Sequence, residues 1–372
     1  MRIGLLIYGD LEQCTGGYIY DRYLVNHLRA GGHEVIPITL PALSLAGKLA
    51  DNFSPLLVGR IRALKLDILL EDALCLPSLL GLNRVLSLCT RLPIVALVHQ
   101  LVYRRQRQRG WRRFYAFGEK TFLRSVDAII VNSEQLRRAI REELGINRPA
   151  LVATPGGDRL AAGGVEERQK LSQRVEQPGP LKLFFLGNVL PNKGLHRLLT
   201  VLKELDPASW RLSVAGSLEM DQAYADRIRQ FIADHALAAQ VRLLGLLDSE
   251  SLKAELARHH LLTLPYSIEG FGIAYLEGMS LGLPAIGSTR GAAGEIIDHG
   301  KNGLLVEFAG DGADLRGYLS HLQLHRQELK AMSLAALDSF QEFPTWEESM
   351  AQIRGFLQEV GGARARVARP PG

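Results

Sequence analysis

Along nearly the whole chain, short apolar runs rich in β-branched residues alternate with amphipathic segments of helical length. No other feature constrains the fold as strongly. Arg2–Tyr8 reads as a buried strand, and Gly17–Ala30 as a helix stopped by Gly31-Gly32. Glu34–Thr39, Asp67–Leu70, Ile94–His99 and Ala128–Val131 continue the strand series. Ser133 has N-cap chemistry with Glu134 behind it, which predicts a helix to about Leu144. A strand at Leu151–Thr154 then runs into Pro155-Gly156-Gly157. Residues 156–180 lose the periodicity, carry Gly163-Gly164 and Pro178-Gly179-Pro180, and read as a linker.

The alternation restarts with strands at Leu181–Leu186, Leu212–Ala215, Val241–Leu244, Leu261–Leu264, Ala285–Gly287 and Leu304–Val306. With 372 residues and about 150 per domain, two α/β domains are expected. Their boundaries fall at 1–160, a linker at 161–180, 181–343, and a terminal helix with a basic tail at 344–372. In a two-lobed protein such a helix can cross back to the first lobe. Each domain is expected to be a Rossmann-like, doubly wound parallel sheet covered on both faces. Ligands of such sheets bind at the carboxyl ends of the strands, here in a cleft between the domains.

Hydrophobic residues make up 47% and charged residues 22%, the balance of a soluble globular chain, which excludes a disordered one. No run approaches ~18 apolar residues, and Ile3–Tyr8 is too short for a secretory signal. Three cysteines without a CxxC pattern point to neither a disulfide framework nor a zinc ribbon, so a cytoplasmic location is expected. The net charge of +5 is uneven: six arginines and no acid lie between Arg104 and Arg113, and Arg364, Arg366 and Arg369 crowd the C-terminus. That excess favours anionic partners, and no nucleic-acid module accompanies it.

Three strand–turn–helix junctions carry candidate chemistry. After Leu261–Leu264 comes Ser267-Ile268-Glu269-Gly270-Phe271-Gly272-Ile273, with Glu277 on the following helix. Glycines there let backbone N–H groups approach an anion, and a fixed carboxylate suits the two vicinal hydroxyls of a ribose. After Leu181–Leu186 comes Gly187-Asn188-Val189-Leu190-Pro191-Asn192-Lys193-Gly194, where Lys193 at the start of the next helix can hold a diphosphate. Between the first strand and helix lies Thr15-Gly16-Gly17. Neither a GxGxxG fingerprint nor a P-loop is present, which argues against a nicotinamide dehydrogenase and a P-loop NTPase.

Taken in order, these elements resemble the family 4 retaining glycosyltransferases of the GT-B fold over about residues 1–310. The resemblance rests on Gly16-Gly17, Ala30-Gly31-Gly32-His33-Glu34-Val35, Val131-Asn132-Ser133-Glu134, Gly187 to Gly194, Glu269-Gly270-Phe271-Gly272 with Glu277, Gly294-Glu295-Ile296-Ile297, and Asn302-Gly303-Leu304-Leu305-Val306. It implies transfer of a sugar from a nucleoside-diphosphate donor, UDP-linked first and GDP-linked next, to a glycan, glycolipid or small hydroxyl acceptor. It places Gly187, Asn188 and Lys193 at the diphosphate, together with Gly16 and Gly17. Glu277 falls at the ribose, and Gly270, Phe271, Gly272 and Ile273 beside the donor. Glu269 and His99 become catalytic in the sense of positioning and charge. No DxD sequence stands near these elements, so no required metal or other cofactor is expected.

One departure stands out: Asn188 occupies a position where the family commonly has an arginine on the diphosphate, and Arg290 is a candidate substitute. Pro155-Gly156-Gly157-Asp158 likewise replaces a more usual Asn-Gly-Val-Asp. Tyr103–Phe117 interleaves arginines with Trp111, Phe114, Tyr115 and Phe117, a face suited to an anionic membrane if helical, with Ser44–Lys65 as a second amphipathic stretch. Two other readings share the fold: a sugar phosphorylase or epimerase, and a nucleotide-sugar-binding scaffold that has lost turnover.

Overall fold

The apolar runs form two parallel sheets in the computed structural model. It describes every residue except 14, 42–43, 107, 161–164, 266–269, 308–311 and 368–372, with backbone alone at 165–167 and 363–367. The chain divides into one unit of Met1–Pro155 with Trp346–Gly372 and another of Gly156–Thr345.

In the first unit, β1 (Arg2–Tyr8), β2 (Glu34–Leu40), β3 (Ile68–Asp72), β4 (Ile94–Val98), β5 (Ala128–Val131) and β6 (Ala150–Val152) form one sheet in the order β2-β1-β3-β4-β5-β6. In the second, β7 (Leu181–Leu186), β8 (Trp210–Ala215), β9 (Val241–Gly245), β10 (Leu261–Thr263), β11 (Ala285–Ser288) and β12 (Gly303–Val306) are ordered β12-β11-β10-β7-β8-β9. Every pairing is parallel, with Leu5 opposite Leu70 in the first sheet and Leu262 opposite Phe184 in the second. The central strands β3, β4 and β5 are buried along their whole length, which is why they read as continuous rather than alternating apolar runs.

Each sheet winds outward from its first strand and then returns to that strand's other side. The order therefore reverses between β1 and β3 in one sheet and between β7 and β10 in the other. Loops leaving the carboxyl ends of those pairs diverge and leave a crevice, the usual ligand site of an open α/β sheet.

Three segments differ from the sequence reading. Residues Val165–Glu176, read as part of a linker, form a helix whose Leu171 and Val175 are fully buried in the second core. Arg174 staples it by donating to the carbonyls of Ala257, Leu281 and Gly282. The flanking glycines and prolines hid a single turn-to-turn apolar pair. Second, Tyr103–Phe117 is not one helix. Val102–Arg105 is a 3-10 turn, and the helix runs from Arg109 to Ser125. Buried Glu119 reaches back to accept from the amides of Val102 and Tyr103 at 2.6 and 3.1 Å, so the turn is tied off separately. Third, Ser44–Lys65, read as one amphipathic stretch, breaks into two helices, Leu45–Asp51 and Pro55–Ala63. The terminal helix spans Trp346–Val367 and belongs to the first unit, where the Trp346 indole stacks on Tyr23 with centroids 4.1 Å apart.

Cys75 and Cys89 are free thiols, and Cys14 lies outside the described residues. Among the described residues, no helix is long and apolar enough to cross a membrane.

Candidate functional site

In the second unit the chain leaves β7 through Gly187 and Asn188 at the reversal point. The Gly187 amide donates to Ala215 and that of Val189 to Ser217, so this turn is sewn to the end of β8. The carboxamide oxygen of Asn188 accepts from the Ser217 amide at 2.9 Å. That contact anchors the turn, and it is one a guanidinium, having no acceptor, cannot make.

Lys193 was expected at the start of the next helix. It sits instead in a 3-10 turn, Pro191–Lys193, and the helix Leu195–Leu202 follows Gly194. Gly194 has φ +73°, and a Cβ on it would stand 2.4 Å from the carbonyl oxygen of Pro265. Only glycine lets the Lys193 turn lie directly against the loop leaving β10, across the reversal point.

That loop holds Gly270 and then Phe271, buried and edge-on to Phe343 with centroids 6.5 Å apart. Gly272 turns the chain into the helix Ile273–Met279. Glu269 lies outside the described residues.

Glu277, on this helix, is 3% exposed. Its Oε1 accepts a hydrogen bond from Arg159 Nε at 2.7 Å, and Nη2 forms an ion pair with the same oxygen at 2.5 Å. The third guanidinium nitrogen, Nη1, donates to the Ser249 hydroxyl at 3.3 Å. Burial raises the Glu277 pKa and Arg159 pulls it back, leaving it above the ordinary carboxylate value. Sequence reasoning missed Arg159 because no spacing motif joins it to a carboxylate so far along the chain. Its one signal is the place it holds, directly after Asp158 in the turn that departs from the family pattern. Arg290, the candidate substitute for the missing arginine, stands after β11 and pairs with Glu307 at 3.6 Å, both exposed.

The first unit's reversal point carries different chemistry. Gly16 opens the helix Gly16–Ala30, and Gly17 lies so close to His99 that a Cβ would be 3.2 Å from its Cδ2. His99 follows β4, buried, with Nε2 3.0 Å from Asp21 Oδ1 and its carbonyl accepting from Asn132 at 3.2 Å. Tyr20 packs edge-on against the ring.

Burial disfavours the imidazolium, but Asp21 and Asp72 outweigh it and raise the His99 pKa. Asp72, at the end of β3, is pushed up to about 7 by burial and by Asp21, against the pull of His99. Its neighbour Glu71 is pushed up to about 8 by burial, with Asn83 donating to it at 2.8 Å. Asp21 Oδ2 and Glu71 Oε1 accept no hydrogen bond among the described residues. The ligand atoms of Asp21, Asp72 and His99 lie within 4.8 Å of one another, as do those of exposed His321, His325 and Glu328, so both groups have the spacing of a metal site. A surface hollow near Met1, Asp67 and Pro93 lies at the opposite, amino-terminal edge of this sheet.

The arginine-rich segment divides into two parts. Tyr103 is buried and bonds Glu143, which also pairs with Arg104. The first turns of the Arg109–Ser125 helix are exposed, including Arg109, Arg112 and Arg113. Trp111, Phe114 and Phe117 are 49%, 51% and 72% exposed there.

Comparison with known proteins matches both halves. Residues 16–158 fit the model of Glycosyltransferase Family 4 and residues 166–336 that of Glycosyl transferases group 1. The chain is 25% identical over 291 residues to a glycogen synthase of Mycobacterium tuberculosis, covering 75% of this chain and 66% of that relative, just under two thirds of its length. Among solved structures, sucrose-phosphate synthase from Thermosynechococcus elongatus superposes with a TM-score of 0.82 at 19% identity, covering 97% of this chain and 99% of that one. The HepE protein of Anabaena, solved in complex with UDP-glucose, gives a TM-score of 0.75 at 19% identity over 96% of this chain and 100% of its own. Two family models that together run from residue 16 to 336, on two doubly wound parallel sheets, establish that the chain belongs to the family 4 glycosyltransferases and has the GT-B fold.

Proposed function

We propose that this protein is a retaining glycosyltransferase that takes a hexose from a nucleoside-diphosphate sugar, UDP-linked in preference to GDP-linked, and needs no divalent metal. The observation that carries the reading is the close approach at Gly194 and Pro265, which packs the turn bearing Lys193 against the start of the loop that leads from β10 to the amides of Gly270–Ile273, at the reversal point of the second sheet. Cleavage of the bond between the sugar's anomeric carbon and the diphosphate oxygen builds negative charge on the leaving group. Lys193 and those amides then act most strongly in the transition state. The acceptor oxygen bonds the anomeric carbon on the face the diphosphate leaves, and its proton passes to a leaving-phosphate oxygen. Glu277 receives the ribose hydroxyls, while Glu269 positions the sugar and favours its developing positive charge.

Asn188 removes one cation from the site, so a scaffold without turnover is the second reading. Its contact with Ser217 favours a turn that has been kept rather than lost. The acceptor is a glycan or lipid-linked hydroxyl. The exposed Trp111, Phe114 and Phe117 among arginines support peripheral contact with an anionic membrane. Sedimentation with anionic but not zwitterionic vesicles, lost in Trp111→Ser/Phe114→Ser, tests that part.

The donor assignment is tested by thermal-shift titration with UDP, GDP, ADP and dTDP, with and without magnesium, followed by transfer and hydrolysis assays with the matching sugars. A diphosphate at a hundredfold excess over its Kd adds about 2.7 kcal/mol to the folded state, which such a titration resolves. Selective stabilisation by UDP without magnesium is the expected result. No response from folded protein to any of the four overturns the reading. Binding without turnover favours the scaffold, and turnover dependent on inorganic phosphate favours a phosphorylase.

A further inference from the structure

Arg159 is the one group in the second unit's site that neither the motif pattern nor the family resemblance assigns. Its position is strongly determined. A Cβ on Gly157 would lie 2.7 Å from Leu276 Cβ and 2.5 Å from the Phe340 ring, so this turn is pressed onto the helix that bears Glu277. Leu160, on its other side, is 2% exposed in the core. Between these anchors the Arg159 side chain bridges Glu277 and Ser249, the first residue of the helix Ser249–Leu256.

We propose that Arg159 is a positioning residue for the donor site. Its guanidinium holds the buried Glu277 carboxylate ionised and turned by its grip on Oε1, so that Oε2 is presented to the two hydroxyls of a nucleoside's ribose. This rests on Glu277 being the ribose acceptor. The physical need is direct: a carboxylate this buried is protonated readily unless a cation faces it, and protonation turns one of its acceptor sites into a donor. Among the described residues, Arg159 is the one charged group acting on Glu277. The helix Arg326–Phe340 and strands β10 and β11, which pack on the Glu277 helix, contribute none. The Nε hydrogen bond and the Nη2 ion pair, both on a single carboxylate oxygen, fix orientation as well as charge.

The test is equilibrium binding of UDP and of uridine to the full chain from pH 6 to 9, for wild type, Arg159→Gln, Arg159→Lys and Glu277→Gln, each with its thermal midpoint recorded. Arg159→Gln is expected to weaken both ligands about 10- to 100-fold at pH 7, the loss of one charged hydrogen-bonding partner. The loss shrinks toward pH 9, where Glu277 ionises without help, and Arg159→Lys recovers part of the affinity at pH 7. A merely structural role leaves the deficit independent of pH. Arg159→Gln binding as tightly as wild type, or more tightly, while Glu277→Gln is impaired, overturns the proposal and makes Arg159 a competitor for the site. If Glu277→Gln binds uridine like wild type, the ribose assignment itself fails and this inference with it.

Discussion

The two sheets reverse direction in the same way, yet their reversal points hold opposite kinds of chemistry. In the second unit, between β7 and β10, a close approach at Gly194 packs the turn that bears Lys193 against the loop leaving β10, and Glu277, the one buried carboxylate of that unit among the described residues, has its own arginine. In the first unit, the groups around the reversal point between β1 and β3 include Asp21, Glu71, Asp72 and His99, all nearly inaccessible. An arrangement of amides and cations binds a multiply charged anion with little reorganisation. A buried cluster of acids with a single imidazole instead stores protons, because ionising them all without solvent is too costly. Topology thus sets where a site forms in each unit, and side-chain chemistry sets what each can do.

The largest expected effect that sharpens this contrast is on stability against pH. Glu71 has a folded pKa near 8, above the ordinary carboxylate value. A raised folded pKa gives stability that is fully present below the unfolded value and is lost as pH rises through the folded one. Wild type should therefore lose stability between about pH 4.5 and 8. Glu71→Gln should flatten that slope and raise stability at pH 8 by on the order of a few kcal/mol, with UDP affinity unchanged. Chemical denaturation across pH checks it, and an unaltered slope would show that Glu71 is ionised in the fold.

Next in size is Lys193→Ala, which should weaken UDP binding about 10- to 100-fold with the pH slope of stability untouched. Calorimetric titration decides, and unchanged UDP affinity would remove Lys193 from the diphosphate. A last pair compares the two close approaches directly. Gly194→Ala meets the Pro265 carbonyl with φ held positive and should lower stability by about 1–3 kcal/mol. Gly17→Ala meets only the edge of the His99 ring in a helix that welcomes alanine, and should stay within about 1 kcal/mol of wild type. Equal losses in thermal denaturation would mean that the two turns are equally tight.

Much of this was legible in order along the chain. Strand Arg2–Tyr8 and helix Gly16–Ala30 needed only an apolar run, a glycine stop and local periodicity, which act between near neighbours. Gly272 was equally readable, because a backbone requirement leaves its mark at one position. The helix Val165–Glu176 was not, since its two buried residues carry meaning only against a core built from distant segments. His99 was placed correctly at a strand end, but its acid partners come from a different helix and strand.

The sequence by itself determined the α/β alternation, the junctions where a donor could be bound, and the family to which the chain belongs, all properties of spacing along one dimension. Only the tertiary structure decided that Arg159 grips Glu277, that Asn188 ties its turn to Ser217, and that burial pushes Asp72 and Glu71 above the ordinary carboxylate range. Charge pairing and desolvation depend on which groups share a buried volume, and that is set by how the sheets wind rather than by distance along the chain.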